Sequence, residues 1–345
     1  MTDRTAAGGT VEATRSPASS FPTELGITVY GCSPAEAALF EHLAPARHVR
    51  PLITERPLDA VTAQLARGTR YVSVDHRNRV DGETLRALRR VGVRHLSTRS
   101  VGSDHVDTEA AARLGVTVET TAYPPDGVAD FTVLLVLMAL RGTGAVLRRV
   151  DAHDYRPSAT PGRELRDLTV GVVGTGRIGG AVVDRLRGFG PRILTHDTRS
   201  RPGAGHVPLD ELVRDSDVVT LHVPLTPDTH HLLDRRRIAR LKPGAVVVNT
   251  GRGALIDTDA LVVALESGRL GGAALDVVEG EDGVFSVDHR RSPVDNPALL
   301  RLQRLPNVVV TPHIAFHTDR AQRAIVENTI GQCVAFAEGG RAWTA

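Results

Sequence analysis

Residues Gly171–Gly180 read GVVGTGRIGG. The run LTVGVVG before the glycines is apolar without alternation, as a strand buried on both faces requires. A helix is predicted from about Arg177 to Gly188. Gly174, Gly176 and Gly179, with Thr175, Arg177 and Ile178 between them, fit G-x-G-x-x-G at this strand-to-helix turn. In such a turn the first glycine allows a tight bend and the second lets the backbone approach a pyrophosphate. The third lets helix and strand pack closely, and the helix N-terminus offers free N–H groups to the phosphates. Asp197 ends the next strand, RILTHD, where an acid accepts the ribose hydroxyls of a dinucleotide. A carboxylate there favours NAD, while Arg199 and Arg201 just beyond it leave NADP open.

Outward from this turn, SDVVTLHVP, GAVVVNT, GAALDVV and NVVVTPH read as further strands, joined by helical stretches such as DTDALVVALESGRL. The N-terminal part is a second β/α series, with GITVYG, YVSV, RHLSTRS and GVTVET as strands and PAEAALFEHLA and GETLRALRRVG as helices. The fold class is therefore α/β, with two Rossmann-like doubly wound units. FTVLLVLMAL, Phe131–Leu140, is too short to span a bilayer and reads as a buried helix.

Composition narrows the function classes. The 345 residues carry a net charge of +2, and aromatic residues make up 3%. Neither a nucleic-acid footprint nor a stacking platform for single strands follows from that. The two cysteines, Cys32 and Cys333, lack metal-ligand spacing, so neither a disulfide framework nor a metal site is expected and a reducing cytoplasm is the default. Residues 1–23 lack the apolar core of a secretory signal and read as a flexible tail.

Candidate chemistry lies at the carboxyl ends of three later strands, where open α/β sheets bind ligands. Arg252 follows VVVNT, Asp276 and Glu281 follow GAAL, and His313 follows NVVVTP. Each alone has an ordinary structural explanation; their shared position in one sheet points to a site. Reducing a 2-oxo acid needs a proton donor at the carbonyl and a cation for the carboxylate.

With these stretches in hand, the chain resembles the D-isomer-specific 2-hydroxyacid dehydrogenases. GVVGTGRIGG, LHVPLTPDTHHLL, VVVNTGRGALIDTDAL, AALDVVEGE and VVVTPHIA carry the resemblance. GITVYGC, HLSTRSVGSDHVDT, AYPPDGVADFT and DNPALLRLQRLPNVVVTPH extend it toward the lactate dehydrogenases of vancomycin-resistance operons. The resemblance implies that Arg252 grips the substrate's carboxylate and carbonyl, that His313 is the acid/base and that Glu281 is its paired acid. A carboxylate beside an imidazole favours the protonated ring and fixes its orientation. It also implies that Asp276 lies near the nicotinamide carboxamide and that Val223, Pro224, Thr250 and Gly251 line the cofactor, with Arg252 and His313 at its reactive end. Backbone N–H groups of Val101 and Gly102 would bind the carboxylate, and Phe316 would face a small substrate side chain. Tyr123 either borders the substrate or packs at the hinge.

Two departures from the family pattern stand out: Pro124 replaces a serine, and His317 replaces the tyrosine of lactate-forming relatives. His317 reads as an exposed first-turn helix residue. The resemblance further implies a substrate unit of 24–121 plus 316–345, a cofactor unit of 122–315 and a homodimer. The expected substrate is pyruvate, reduced to D-lactate for cell-wall precursors. A hydroxypyruvate, glyoxylate or phosphoglycerate enzyme and a non-catalytic NADH-sensing regulator stay open beside it.

Overall fold

The computed structural model describes residues 24–198 and 205–339. The 1–23 tail and the arginines Arg199 and Arg201 lie outside the described residues. Two parallel sheets form the scaffold. The first holds β1 (Leu25–Val29), β2 (Val49–Ile53), β3 (Tyr71–Val74), β4 (His95–Thr98) and β5 (Thr117–Thr120), in the order β2-β1-β3-β4-β5. The second holds β6 (Thr169–Val173), β7 (Arg192–His196), β8 (Val218–Leu221), β9 (Val246–Asn249), β10 (Gly272–Leu275) and β11 (Val308–Val310), in the order β11-β10-β9-β8-β6-β7. In both sheets the first strand of the series has later strands on either side of it. That reversal opens a crevice at the carboxyl ends.

Successive residues along the second sheet enter opposite cores. Val172, Val218, Val246, Val248 and Ala274 pack on one face, and Val173, Val219, Val247, Ala273 and Leu275 on the other. Both faces are buried, which is why these strands read as unbroken apolar runs. The FTVLLVLMAL run lies in the helix Asp126–Leu140, which covers one of these faces. Among the described residues no single helix is long and apolar enough to cross a membrane.

The first sheet follows the same rule, with Val72 and Val74 on one side and Ile27, Val29 and Tyr71 on the other. The helix Asp319–Ala337 closes the second side with Val326, Ile330 and Cys333. Cys32 and Cys333 are buried free thiols, each pushed up to about 12 by burial. His317 is exposed but precedes that helix, whose cap is Thr318, so it is not a first-turn residue as its sequence position suggests.

Strand β2 has no counterpart in the sequence reading. Its VRPLI sequence contains a proline, which removes a ladder donor and breaks the apolar pattern. The strand is tolerated because it lies at the sheet edge, where Pro51 pairs with Ile27 on one side only.

A buried ion pair anchors the loop that follows β4. Arg99 donates to Glu36 at 3.1 Å, to Ser73 at 3.2 Å and to the Tyr30 carbonyl at 2.8 Å. Burial pushes the Glu36 carboxyl up, but Arg99 and Ser33 outweigh it and hold the group below its ordinary value. Arg99→Leu should cost about 3–5 kcal/mol near neutral pH by leaving a buried carboxylate unpaired. In the native chain the stability Glu36 contributes is present above its unfolded pKa and is lost as pH falls through its lower folded value. Without Arg99 the same carboxyl titrates upward. The deficit, read by denaturant unfolding, should therefore shrink from pH 7 to pH 4.

Candidate active site

Strand register explains how distant residues converge. Leu275 of β10 lies beside Asn249 of β9 and beside Val310 of β11. Arg252, Asp276 and His313 follow these three positions and emerge on one edge of the sheet. Arg252 and His313 face the crevice between the two sheets, where they and Glu281 line a cavity of ≈ 500 Å³. His76, Asp104 and His105 line its opposite wall.

His313 is held by its backbone and by one side chain. Its φ of 55° is left-handed, an uncommon conformation for a residue with a Cβ. Its N–H donates to the Asp276 carbonyl at 2.8 Å. The fully buried Asp276 carboxylate accepts from Thr311 Oγ1 at 2.5 Å, from the Ile314 N–H at 3.0 Å and from the Ala315 N–H at 2.9 Å. Asp276 thus clamps the turn that carries His313. The ring's Nδ1 lies 2.6 Å from Glu281 Oε1, while Glu281 Oε2 accepts from the Val278 N–H at 2.7 Å. Glu281 is fixed from both sides, and Nε2 of His313 is the ring nitrogen left for the cleft.

Arg252 sits on a loop with little freedom. Asn249 accepts from the Gly251 N–H at 3.0 Å and donates to the Arg252 carbonyl at 2.8 Å. A Cβ at Gly253 would lie 2.2 Å from the Val278 carbonyl carbon. Only glycine lets the arginine loop rest on the segment leading to Glu281. Thr250 shares a hydroxyl hydrogen bond of 2.9 Å with Thr132 and ties the loop to the apolar helix.

The guanidinium also reaches the other wall. A Cβ at Gly102 would lie 2.2 Å from Arg252 Nη2, so the Val101–Gly102 loop touches it. Arg252 Nε donates to Asp104 at 3.0 and 3.1 Å. Ser100 Oγ donates to the Gly102 carbonyl at 2.7 Å, and Arg99 holds the base of the loop. Val101 is exposed.

His76, two residues after β3, belongs to none of the sequence motifs above. Its ring lies 4.4 Å from that of His313 and 5.5 Å from that of Phe316. Burial, with His313 and Arg252 nearby, holds it well below the usual histidine value. Phe316 stands 6.1 Å from His313 and 6.2 Å from Tyr123, edge-on to the first. Tyr123 and Phe316 thus join the two histidines in one aromatic cluster beside the acid/base pair. Burial also raises the Tyr123 hydroxyl, and the Tyr123 carbonyl accepts from Arg177 at 3.1 Å. Pro124 and Pro125 lead straight into the Asp126–Leu140 helix.

The glycine turn fits a dinucleotide. Gly174 has φ 89°, and a Cβ there would meet the His222 carbonyl oxygen at 2.6 Å. A Cβ at Gly179 would lie 1.8 Å from the Gly174 carbonyl oxygen, whereas one at Gly176 would project into open space. Gly176 caps the Arg177–Arg187 helix and brings no side chain to its first N–H groups. Ile178 lies in the first turn of that helix, and Val223, followed by Pro224, comes after β8 close to Gly174. Asp197 accepts from the Thr175 N–H at 2.7 Å and from its hydroxyl at 3.1 Å, so it braces the turn as well.

A parallel-sheet crevice with a glycine-rich cradle and an imidazole–carboxylate pair facing an arginine defines a nicotinamide-linked oxidoreductase. The chain belongs to the D-isomer-specific 2-hydroxyacid dehydrogenases. Residues 133–315 match that family's NAD-binding domain. A D-specific alpha-keto acid dehydrogenase of Enterococcus faecalis is 50% identical over 312 residues, covering 90% of this chain and 97% of that relative. The solved pyruvate reductase of Chlamydomonas reinhardtii superposes with TM-score 0.83 at 34% identity, covering 93% of this chain and 99% of that one. The D-lactate dehydrogenase of Aquifex aeolicus, solved with NAD and lactic acid, gives TM-score 0.82 at 30% identity, covering 91% and 96%. NAD is the cofactor of this class.

Proposed function

We propose that the chain reduces a small 2-oxo acid, with pyruvate first, to the D-2-hydroxy acid. The observation that carries the reading is the 2.6 Å His313–Glu281 pair sharing one cleft with Arg252. Gly174, Gly176 and Gly179 would cradle the pyrophosphate, Asp197 the adenosine ribose, and Val223, Pro224, Thr250, Gly251 and Asp276 the rest of NADH. The bound cofactor supplies a hydride for the carbonyl carbon. Arg252 and the Val101–Gly102 N–H groups hold the substrate carboxylate, and Arg252 also polarises the carbonyl oxygen. As the carbon–oxygen double bond becomes single, His313 Nε2 gives its proton to that oxygen. Glu281 holds the resulting imidazole for reprotonation from water.

Residues 24–121 with 316–345 would form the substrate unit, and 122–315 the cofactor unit. Closure of one on the other would exclude water from the reacting atoms. Supply of D-lactate to cell-wall precursors, as in glycopeptide resistance, and pairing into homodimers extend the reading on family likeness. Arg77 and Arg79 also line the cleft, which favours testing phosphorylated and dicarboxylic 2-oxo acids as a second substrate class. A steady-state panel of 2-oxo acids with NADH and NADPH decides. Highest kcat/KM for pyruvate supports the reading, and no turnover with any 2-oxo acid overturns it.

Cofactor choice has its own test. Asp197→Asn keeps an acceptor for Thr175 while removing the charge that repels a 2′-phosphate. The NADPH-to-NADH ratio of kcat/KM should rise by about tenfold. An unchanged ratio would put cofactor choice elsewhere.

A further inference from the structure

The sequence LTPDTHHLL follows β8, and its two adjacent histidines have no part in the reduction above. We infer that His230, His231 and Glu279 form a binding site for a divalent transition ion of the zinc class, at the rim of the substrate cleft.

Adjacent side chains normally diverge. Here the chain bends, because His231 has a left-handed φ of 48°, and the two imidazoles stack with centroids 4.0 Å apart. Both Nε2 atoms then converge on one carboxylate. His231 Nε2 lies 3.0 and 3.1 Å from the two Glu279 oxygens, and His230 Nε2 lies 3.7 Å from one of them. All three donor groups lie within 4.8 Å of one another. An ion bound at about 2.0–2.1 Å places neighbouring ligand atoms about 3.0–3.4 Å apart. The spacing present is therefore close to the edge of such a coordination shell.

The framework behind the three groups is firm. Thr229 Oγ1 donates to the Pro224 carbonyl at 2.7 Å, and the His230 N–H donates to the Thr226 carbonyl at 2.9 Å. The His231 N–H donates to Ala254 at 2.8 Å, two residues beyond Arg252. Asn296 donates to the Glu279 and Gly280 carbonyls, each at 3.0 Å. The side chains themselves stay open to solvent, His230 at 53%, His231 at 33% and Glu279 at 36% exposure, so an ion and its waters have a path in. Two imidazoles and one carboxylate suit Zn²⁺, Co²⁺ or Ni²⁺ rather than Ca²⁺ or Mg²⁺, which prefer all-oxygen shells. Glu279 lines the cleft two residues before Glu281. A bound ion would therefore tether the turn that carries Glu281, the carboxylate partner of His313.

The test uses the untagged full-length protein, stripped with a chelator and dialysed. Titration with Co²⁺ should give visible ligand-field absorption saturating at one equivalent, with Zn²⁺ displacing it. Calorimetry with Zn²⁺ should give the same stoichiometry. His231→Asn and Glu279→Gln should each weaken binding by about tenfold or more. His230→Gln, at the most exposed position, should do so as well, and NADH fluorescence reports that each variant is folded. No saturable binding by the parent overturns the site. So does undiminished binding in His230→Gln and Glu279→Gln. Loss of binding in His313→Ala, with retention in Glu279→Gln, would place the ion on the acid/base pair and overturn it equally.

Discussion

Replacing His313 by alanine should lower kcat/KM for pyruvate by about 10²–10⁴-fold, the usual worth of a positioned general acid. NADH affinity, read by fluorescence titration, should stay within a few-fold. The split is expected because the ring is held by groups other than the glycine turn: Glu281 at 2.6 Å, and the backbone clamped by the buried Asp276 carboxylate. Removing the imidazole leaves that clamp intact, so the fold should survive. It also leaves Arg252, so the substrate carboxylate should still bind and most of the loss should appear in kcat. Normal pyruvate reduction by His313→Ala would remove the residue from the chemistry. A large loss of NADH binding would instead mean that it serves the cofactor.

Much of this site was legible in the sequence because parallel sheets place chemistry at strand ends. Buried strands announce themselves as apolar runs, so the residues after VVVNT, GAAL and VVVTP could be named before their register was known. Register then did what pattern could not, setting Asn249, Leu275 and Val310 side by side. The opposite wall was harder to read. His76 follows a strand of the other sheet, and only the packing of the two units brings its ring within 4.4 Å of His313. Strand β2 was hidden by Pro51, whose lost donor matters little at an edge. Asp197 and Asp276 were read for the cofactor, yet both also hold backbone turns, and a local motif carries no sign of that second duty.

Replacing Arg252 by lysine should lower kcat/KM for pyruvate by about 10²–10³-fold, although charge is conserved. A guanidinium presents several donors in one plane and can hold a carboxylate while polarising a carbonyl; an ammonium offers a point charge. The geometry here sharpens the expectation. Arg252 Nε is already engaged by Asp104 at 3.0 and 3.1 Å, and Nη1 donates to the Gly251 carbonyl at 3.0 Å. The remaining donor edge, Nη2, points at the Val101–Gly102 loop, where a carboxylate would meet both the arginine and the loop's N–H groups. A lysine drawn to Asp104 keeps N–H donors but has no second donor edge that reaches that position. KM should therefore rise together with the fall in kcat, unlike the His313 variant, in which kcat carries the loss. Asp104→Asn in the native background keeps a neutral partner for Nε and removes a competing negative charge from the carboxylate site. It should lower KM for pyruvate by a few-fold while kcat holds. Steady-state kinetics on the two variants thus separates gripping from proton transfer. If Arg252→Lys stays within tenfold of the parent in kcat/KM, the arginine does not grip the substrate.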